Sequence, residues 1–334
     1  MKAKVLGTTF VLSFVLSTQL YADDNPITRT EFVMGTVANI TVYEGNRGVE
    51  KAYKRLNQLD KLLSINKNDT LITDINNLSG LKPVKVPHDI FSLIETGIYY
   101  SNLTNGLFDI TIEPLTNLWR IGFDDAMVPD DETILEALSH VDYSNVALNR
   151  SKSTVFLTQE GMGLDLGGIA KGYACDEVVK ILKNSDVEEA LIDIGGNVYI
   201  LGDELVNVGL QNPFDKRGEV FATLNLSNKA VVTSGIYERF LEIDGTKYHH
   251  LINPKTGYPF DNNLASVTII SNYSTDGDAL STAVFAKGLQ AGINFVEALN
   301  GVEAIFVTTD YEVYPTSGIA DTLIITNELF TRGK

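Results

Sequence analysis

The sequence is short of the residues that build several common kinds of site. It has one cysteine, Cys175, and four histidines among 334 residues. A single cysteine excludes a disulfide framework and a metal–thiolate cluster within this chain. No cluster of Lys and Arg occurs, and the formal net charge is −17. Because nucleic-acid binding depends on neutralising phosphates with basic side chains, this balance argues against a nucleic-acid partner.

Long apolar runs are also scarce, and the clearest one lies near the first residue. Two lysines precede the apolar run from Val5 to Leu16, and small and polar residues follow up to Ala22. This order is typical of a secretory signal peptide, and the run is too short for a comfortable membrane span. We expect a signal peptide at 1–22, a linker at 23–30 and a periplasmic protein. An uncleaved anchor is the alternative, and we also expect peripheral association with the inner membrane.

Strand patterns outnumber helix patterns in the rest of the chain. Residues 32–43 alternate and predict one strand with a bend at Gly35, and residues 190–201 place Gly-Gly-Asn between two β-rich runs, which predicts a hairpin. Asn46 is expected to cap a helix that ends near Leu63, whereas residues 64–77 have a loop-like composition. We therefore predict an α+β fold over 31–330 with antiparallel sheets, not a doubly wound parallel sheet. The length suits one large domain or two closely packed ones.

The central stretch of the chain reads LDLGGIAKGYACD, from Leu164 to Asp176. Leu164 and Leu166 alternate with Asp165 as a strand end would, a Gly-Gly turn follows, and helical spacing begins at Ile169. A helix start after glycine suits an anion such as a phosphate. The stretch lacks the order of a dinucleotide fingerprint or a P-loop, so an ordinary strand-to-helix turn remains the alternative.

Two further groups carry side chains suited to chemistry. His249 and His250 follow each other at a predicted strand end, so one is expected to be structural and the other is a candidate base. Asp276, Asp278 and Thr282 lie at the start of a predicted helix, where Asp278 and Thr282 share a face. Carboxylate and hydroxyl oxygens suit Mg²⁺. The two aspartates could equally favour the helix N-terminus by their charge alone.

Seven short motifs, in order over nearly the whole chain after the predicted signal peptide, resemble those of the FAD:protein FMN transferases, the ApbE-like family. They are Met34-Gly35-Thr36, the segment 105–110 (NGLFDI), the segment 165–173 (DLGGIAKGY), the segment 193–197 (DIGGN), Thr233-Ser234-Gly235, the segment 250–259 (HLINPKTGYP) and the segment 278–283 (DALSTA).

The resemblance implies an ApbE-type α+β fold, with largely antiparallel sheets flanked by helices and an FAD and Mg²⁺ site between its lobes. It implies an exported, Mg²⁺-dependent enzyme that cleaves the pyrophosphate of FAD, transfers FMN to a threonine hydroxyl of a target protein and releases AMP. Subunits of membrane redox pumps and exported flavoproteins are the implied targets.

Site residues follow from the resemblance position by position. Those expected to contact FAD are Met34, Leu107, Phe108, Asp109, Asp165, Lys171, Ser234 and Leu251. Those expected to hold Mg²⁺ are Gly168, through its carbonyl, with Asp278, Ser281 and Thr282. His250 and Asp278 are the implied catalytic residues, His250 as the base that deprotonates the acceptor threonine.

One position departs from the family pattern. Transferases of this family often carry an aromatic residue in the loop that here spans Leu62 to Asn66, and this chain has Asn66 among its expected FAD contacts. Loss of a stacking ring could admit water, so FAD hydrolysis to FMN and AMP is expected beside transfer. The alternative is that Asn66 is only a polar loop residue. An FAD pyrophosphatase with little transfer and a non-catalytic periplasmic flavin-binding protein remain the alternatives.

Overall fold

The computed structural model describes residues 26–43 and 47–333, and these residues divide between two units. The larger unit contains the described residues up to Leu59, then Lys171–Gly235, then the residues from Asn263 onward. The smaller unit contains Asp60–Ala170 and Ile236–Asn262. The expected signal peptide and the expected helix cap at Asn46 lie outside the described residues.

The described helices vary from about two turns to more than four turns. In chain order they are α1 (Val49–Leu63), α2 (Leu71–Asn77), α3 (His88–Leu103), α4 (Glu113–Trp119), α5 (Asp131–Leu138), α6 (Ala170–Lys183), α7 (Ser274–Lys287) and α8 (Leu289–Glu297). A single 3-10 turn covers Tyr143–Asn145. None of these helices is long and apolar enough to cross a membrane.

The described strands are mostly short and paired with near neighbours. In chain order they are β1 (Ile27–Val33), β2 (Thr36–Val42), β3 (Val84–Lys85), β4 (Val146–Asn149), β5 (Thr154–Leu157), β6 (Ala190–Ile194), β7 (Asn197–Leu201), β8 (Val206–Gln211), β9 (Val220–Leu226), β10 (Lys229–Gly235), β11 (Phe240–Ile243), β12 (Thr246–His249), β13 (Leu264–Ser271), β14 (Glu303–Thr308), β15 (Glu312–Pro315), β16 (Ile324–Ile325) and β17 (Thr331–Arg332).

A nine-stranded sheet forms the frame of the larger unit, in the order β1-β2-β6-β7-β10-β13-β14-β15-β17. A three-stranded sheet, β16-β9-β8, belongs to the same unit. Among the described strand pairs only β15–β17 is parallel, so the predicted α+β class with largely antiparallel sheets is confirmed. A buried apolar cluster joins the two sheets; its largest members include Phe221, Leu224, Ile305, Val307 and Phe330.

Two tight turns lie at one end of the large sheet. Met34 and Gly35 turn between β1 and β2 with φ of 54° and 70°, and Gly195 and Gly196 turn between β6 and β7 with φ of 59° and 93°. Positive φ at both central residues matches the twist of a two-residue hairpin. The predicted hairpin at 190–201 is confirmed. The single strand predicted over 32–43 is wrong, because Met34, not a usual turn residue, concealed the turn.

The first hairpin also corrects the expected linker. β1 begins at Ile27, so the second half of the stretch expected at 23–30 is a strand paired with β2. The turns are close neighbours, since the Gly195 N–H donates to the Val37 carbonyl over 3.1 Å. A Cβ at Gly195 would lie 2.3 Å from Thr36 Oγ1, so only glycine fits there. The register Asn197↔Val232 then places the last residues of β10, including Ser234, at this same end.

The smaller unit packs helices α2 to α5 with the sheets β3-β5-β4 and β11-β12. Trp119 is fully buried at the centre of one core cluster, together with Leu115, Ile134 and Leu241. Its indole Nε1–H donates to the Gly257 carbonyl over 2.8 Å, which satisfies the polar group of a buried aromatic residue.

Helix α2 lies where a loop was expected. The polar sequence of α2 hides the helical period. Thr70 caps the helix, because the Thr73 N–H donates to Thr70 Oγ1 over 3.1 Å and the Thr70 N–H donates to Thr73 Oγ1 over 2.9 Å. These reciprocal bonds satisfy N–H groups that a helix start otherwise leaves unpaired. Ile72 and Ile75 provide the buried face.

The strand end expected at Leu164–Leu166 is also absent, although its neighbour Gly163 forms an isolated bridge with Ile112. A side chain of α2 takes the place of a strand partner. The Leu164 N–H donates to Asn76 Oδ1 over 2.7 Å, and Asn76 Nδ2 donates to the Leu164 carbonyl over 3.0 Å. The backbone of Leu164 is therefore hydrogen-bonded on both sides without belonging to a sheet.

Candidate functional site

In the larger unit, the carboxylate of Asp278 is held by the start of α6. Asp278 lies in the second turn of α7 and is 4 % exposed. Lys171 Nζ donates to its Oδ1 over 3.0 Å, and the backbone N–H of Gly172 donates to its Oδ2 over 2.8 Å. A buried carboxylate is stable only when it is paired and hydrogen-bonded, so α6 supplies both a counter-charge and a donor.

Three hydroxyl groups gather near the face of α7 that carries this carboxylate. Ser281 and Thr282 follow Asp278 by about one helical turn, and Ser234 comes from the end of β10. Ser234 Oγ lies 2.8 Å from Ser281 Oγ and 3.3 Å from Thr282 Oγ1. The Ser281 hydroxyl donates to the Asp278 carbonyl over 2.9 Å. The structure thus brings together five of the predicted site residues from three separate stretches of sequence.

This arrangement fits a hard divalent cation such as Mg²⁺, which takes oxygen ligands and usually only one or two carboxylates. Asp278, Ser281 and Thr282 offer one carboxylate and two hydroxyls. Among the described residues, no cluster of three or more His, Cys, Asp or Glu side chains could hold a metal ion by itself. The remaining ligands would therefore have to be carbonyls, waters or substrate oxygens.

Met34 also belongs to the larger unit, at the tip of the first hairpin. Its backbone has a φ of 54° and its side chain is half-buried. A non-glycine residue in the left-handed region is uncommon, and here the paired strands on both sides hold it. The turn therefore fixes the direction in which the methionine side chain leaves the backbone.

In the smaller unit, Asp165 is fixed from two directions. Its Oδ1 accepts from the Gly167 N–H and its Oδ2 from the Thr116 hydroxyl, each over 2.8 Å. Its own N–H donates to the Ile110 carbonyl over 2.9 Å. The predicted FAD contact Asp165 therefore has a defined orientation and remains half-buried. Thr116 was missed, because nothing marks a threonine on a short apolar helix as the partner of a distant aspartate.

Glu113 stands one helical turn before Thr116 and was also missed. Burial, and then the charge of Asp165, raise the pKa of Glu113 to about 7. The carboxyl group packs on the backbone of Gly163, where a Cβ would lie 2.2 Å from Glu113 Oε2. The carboxyl groups of Glu113 and Asp165 therefore lie near each other, and Glu113 changes charge near neutral pH.

The 107–109 segment also lies in the smaller unit, and its three residues differ in role. Leu107 is half-buried. The ring of Phe108 packs on Gly168, where a Cβ would lie 3.0 Å from Phe108 Cε2. Asp109 is buried and accepts from the Thr111 N–H, the Thr111 hydroxyl and the Tyr143 N–H. Burial raises the pKa of Asp109 and these bonds oppose that rise, so its carboxylate shapes the loop.

The two adjacent histidines have different environments. His249 is buried: its Nε2 lies 2.9 Å from the Phe260 carbonyl, and its Nδ1 accepts from the Leu251 N–H over 3.3 Å. These bonds fix a neutral ring with the proton on Nε2, and burial lowers the pKa of His249. His249 is therefore structural, and Leu251 beside it is buried as well.

His250 is half-buried, and its Nδ1 lies 3.2 Å from the Arg239 carbonyl. A carbonyl can only accept, so Nδ1 carries the proton in the neutral ring and the lone pair resides on Nε2. A ring with that tautomer can act as a base through Nε2. Of the two histidines, His250 is thus the better candidate, as predicted for one member of the pair.

Asn66 is exposed in the turn between α1 and α2, where its backbone N–H donates to Ser64 Oγ over 3.3 Å. An exposed side chain in a short turn has space to be replaced by a larger one. Its predicted contact with FAD stays a prediction.

Known proteins resemble this chain over most of its length. The sequence profile of the ApbE family matches residues 34–306. A Klebsiella pneumoniae (strain 342) protein named FAD:protein FMN transferase is 36% identical over 297 residues, which are 89% of this chain and 93% of that protein. A protein of the same name from Treponema pallidum (strain Nichols) is 35% identical over 325 residues, 90% of each chain.

Solved structures agree with the sequence comparison. The crystal structure of the ApbE protein from Thermotoga maritima has a TM-score of 0.81 and 30% identity, and the match covers 89% of this chain and 99% of that one. The apo flavinyl transferase ApbE of Pseudomonas stutzeri has a TM-score of 0.77 and 27% identity, and the match covers 91% of this chain and 98% of that one. The family profile, the relatives and the fold agree, and the chain therefore belongs to the ApbE family.

Proposed function

We propose that this chain is an FAD:protein FMN transferase that moves FMN from FAD to a threonine hydroxyl of a target protein and releases AMP. Family membership and the names of the relatives support flavin transfer. The observation that supports the proposal most directly is the surroundings of Asp278, where a buried carboxylate, three hydroxyls and the Lys171 ammonium come together. Oxygen ligands and a cation are what cleavage of a pyrophosphate requires.

In the proposed reaction, the threonine oxygen attacks the phosphorus of the FMN half of FAD. A new P–O bond forms, the bond to the bridging oxygen breaks, and AMP leaves with that oxygen and its electron pair. When bound, Mg²⁺ would neutralise charge that develops on the phosphate oxygens. Asp278, Ser281 and Thr282 are the residues of the larger unit that would hold it, and the carbonyl of Gly168 stays a predicted ligand.

The acceptor hydroxyl must lose its proton during the attack. A threonine hydroxyl is a weak nucleophile and benefits from a positioned base. The tautomer of His250, with its lone pair on Nε2, supports that role. We propose that Asp165, Phe108 and Met34 contact FAD; the fixed carboxylate, the ring packed on glycine and the fixed turn support these assignments.

Incubation with FAD, Mg²⁺ and an acceptor domain that carries a target threonine tests the proposal. Mass spectrometry of the acceptor and chromatography of the nucleotides are measured together. A mass gain of one FMN on the acceptor, with AMP released in equal amount, is the expected result. AMP without that gain would indicate a hydrolase, and neither product would indicate a flavin-binding protein.

A matched pair of variants on α7 tests the metal assignment. Asp278→Asn keeps the shape of the side chain but removes its charge, so Mg²⁺-dependent AMP release should be lost. Asp276→Asn, two residues earlier on the same helix, is the control and should retain it. Wild-type rates in Asp278→Asn would reject Asp278 as a ligand, provided that circular dichroism shows both variants folded.

Hydrolysis of FAD is a second candidate activity, because the resemblance leads us to expect an aromatic ring where this chain has the exposed Asn66. In the absence of an acceptor, water would take the place of threonine and give FMN and AMP. We expect Asn66→Tyr to reduce this turnover and to retain bound FAD. Asn66→Ala separates the effect of the ring from loss of the amide, and equal turnover in all three proteins would contradict the idea.

The cellular setting is also a proposal. The pattern at 1–22 supports export to the periplasm, and peripheral association with the inner membrane would bring the protein to its targets. Subunits of membrane redox pumps and exported flavoproteins are the targets that we propose. Mass spectrometry of periplasmic and membrane proteins, with and without this chain, would identify them by the gain of one FMN.

A further inference from the structure

Helix α7 begins without a cap from its own chain segment. Its N-cap residue, Tyr273, makes no side-chain capping bond. Two N–H groups of the first turn, which have no partner within the helix, instead donate to Asp176 on α6. The Ser274 N–H donates to Asp176 Oδ1 over 2.8 Å and the Thr275 N–H donates to Oδ2 over 2.9 Å. The Thr275 hydroxyl donates to Oδ2 as well.

Asp176 is mostly buried, and two opposing effects act on the pKa of its carboxyl group. Burial raises the pKa of Asp176, while the bonds from Thr275 and Ser274 oppose that rise. A carboxylate at a helix N-terminus is further stabilised by the helix dipole. Because both of its oxygens are occupied by α7, the side chain has little freedom to turn elsewhere.

The same face of α6 meets α7 at a second point. Gly172 lies one helical turn before Asp176, and its N–H together with Lys171 holds Asp278. The absence of a side chain at Gly172 allows this approach, since a Cβ there would lie 2.3 Å from the Ser274 carbonyl oxygen. Helix α6 therefore fixes α7 at its first turn and at its second turn.

We infer that Asp176 is a positioning residue, which anchors the first turn of α7 and thereby holds Asp278, Ser281 and Thr282 in place as the proposed metal ligands. It does not itself contact the proposed cation. The inference rests on the proposed function, because it assigns Asp176 to the same metal site. Partners that orient metal ligands typically change metal affinity by about 10- to 100-fold when they are replaced.

Asp176→Asn tests this role with little change in shape. The amide keeps one acceptor oxygen, so one N–H of α7 loses its partner. Binding of Mn²⁺ alone, followed by electron paramagnetic resonance, should weaken about tenfold. Hydrogen exchange at the amides of Ser274 and Thr275 should become faster. The Mg²⁺ concentration that gives half-maximal AMP release should rise, with a smaller change in the rate at saturating Mg²⁺.

Glu177→Gln is the matched control. Glu177 is the next residue of α6 and is partly buried, as Asp176 is. Its Oε2 accepts from Arg55 Nε over 2.9 Å. Its ion pair leads to α1 and not to α7. Glu177→Gln should therefore leave Mn²⁺ binding and the exchange of the two α7 amides unchanged. If it weakened Mn²⁺ binding as much as Asp176→Asn, the effect would be general loss of stability and the inference would be wrong.

Two further variants keep the outcomes separate. Thr275→Val removes only the hydroxyl bond to Asp176; it should cause a smaller loss, about threefold, and it covers the case in which Asp176→Asn fails to fold. Mn²⁺ binding that persists in Asp278→Asn would overturn the proposed metal site and this inference with it. If Mn²⁺ binding were lost in Asp278→Asn but unchanged in Asp176→Asn, only this inference would be overturned. Where Asp176→Asn does not fold, unchanged binding in Thr275→Val would have the same meaning.

Discussion

Replacement of Glu113 by glutamine should remove a pH dependence from the stability of the protein. The pKa of Glu113 is about 7 in the folded protein, against an ordinary value of 4.5. The native state therefore keeps a proton that the unfolded chain releases between these two values. The contribution of Glu113 to stability is fully present below pH 4.5, and it is lost as the pH rises through 7.

The magnitude follows from the size of the shift. The two values differ by about 2.5 units, and each unit corresponds to about 1.4 kcal/mol, which gives an upper limit of about 3.5 kcal/mol. Glu113 is only partly buried, and solvent screening reduces the effect of a partly exposed charge. We therefore expect the wild-type protein to lose about 1–2 kcal/mol relative to Glu113→Gln between pH 5 and pH 8.

Urea unfolding of both proteins at pH 5, 6, 7 and 8 measures this difference directly. Glu136→Gln is the control, because Glu136 is an exposed glutamate on α5 and its replacement should give a curve parallel to that of the wild type. If the wild-type and Glu113→Gln proteins differed by the same free energy of unfolding at every pH, Glu113 would titrate normally. The close packing of Glu113 on Gly163 would then not exclude water.

Three other substitutions test the packing that surrounds the site. Lys171→Met leaves the buried carboxylate of Asp278 without this cation, so the metal-free protein should lose about 1–3 kcal/mol of stability and Mg²⁺ should restore part of it; calorimetry with and without Mg²⁺ measures both, and an unchanged melting temperature would count against the pairing. Gly172→Ala places a methyl group against the Ser274 carbonyl and should cost about 1–3 kcal/mol, measured by urea unfolding; a neutral result would mean that the helices can separate freely. Trp119→Phe removes the indole bond to a buried carbonyl and should cost about 1–3 kcal/mol in the same assay, whereas unchanged stability would show that the bond contributes nothing.

Local patterns predicted those parts of the fold that depend on near neighbours in sequence. The hairpin at 190–201 was predictable because two adjacent glycines satisfy the positive φ of its turn. The β1–β2 hairpin was not, because Met34 occupies an equivalent turn position where tertiary pairing overrides its preference. Helix α2 was missed for a related reason: Thr70 and Thr73 cap it through hydroxyls, without the glutamate of the usual capping box.

In the candidate site, too, relations between near neighbours in sequence were predictable and relations between distant residues were not. Helical spacing predicted that Asp278 and Thr282 share a face, since that relation is local. The bonds that Asp278 receives come from residues 107 and 106 positions earlier, and no spacing rule reports them. Thr116, Glu113 and Asp176 were missed for this reason. Each is an ordinary helix residue by sequence, and its role is set by a partner on another element.

Within little more than one turn, the stretch of α6 from Lys171 to Asp176 makes three kinds of contact with α7. Lys171 pairs with a carboxylate, Gly172 allows the two helices to approach closely, and Asp176 caps the N-terminus of α7. Two mostly buried carboxylates, Asp278 and Asp176, depend on these contacts, and burial of either without partners would be costly. Stability and the geometry of the proposed metal ligands thus depend on the same bonds. A loss of activity in this stretch cannot by itself distinguish an altered site from a weakened fold. A comparison of metal binding in Asp176→Asn and Glu177→Gln does distinguish them, because the two positions are neighbours on one helix and, of the two, only Asp176 bonds to α7.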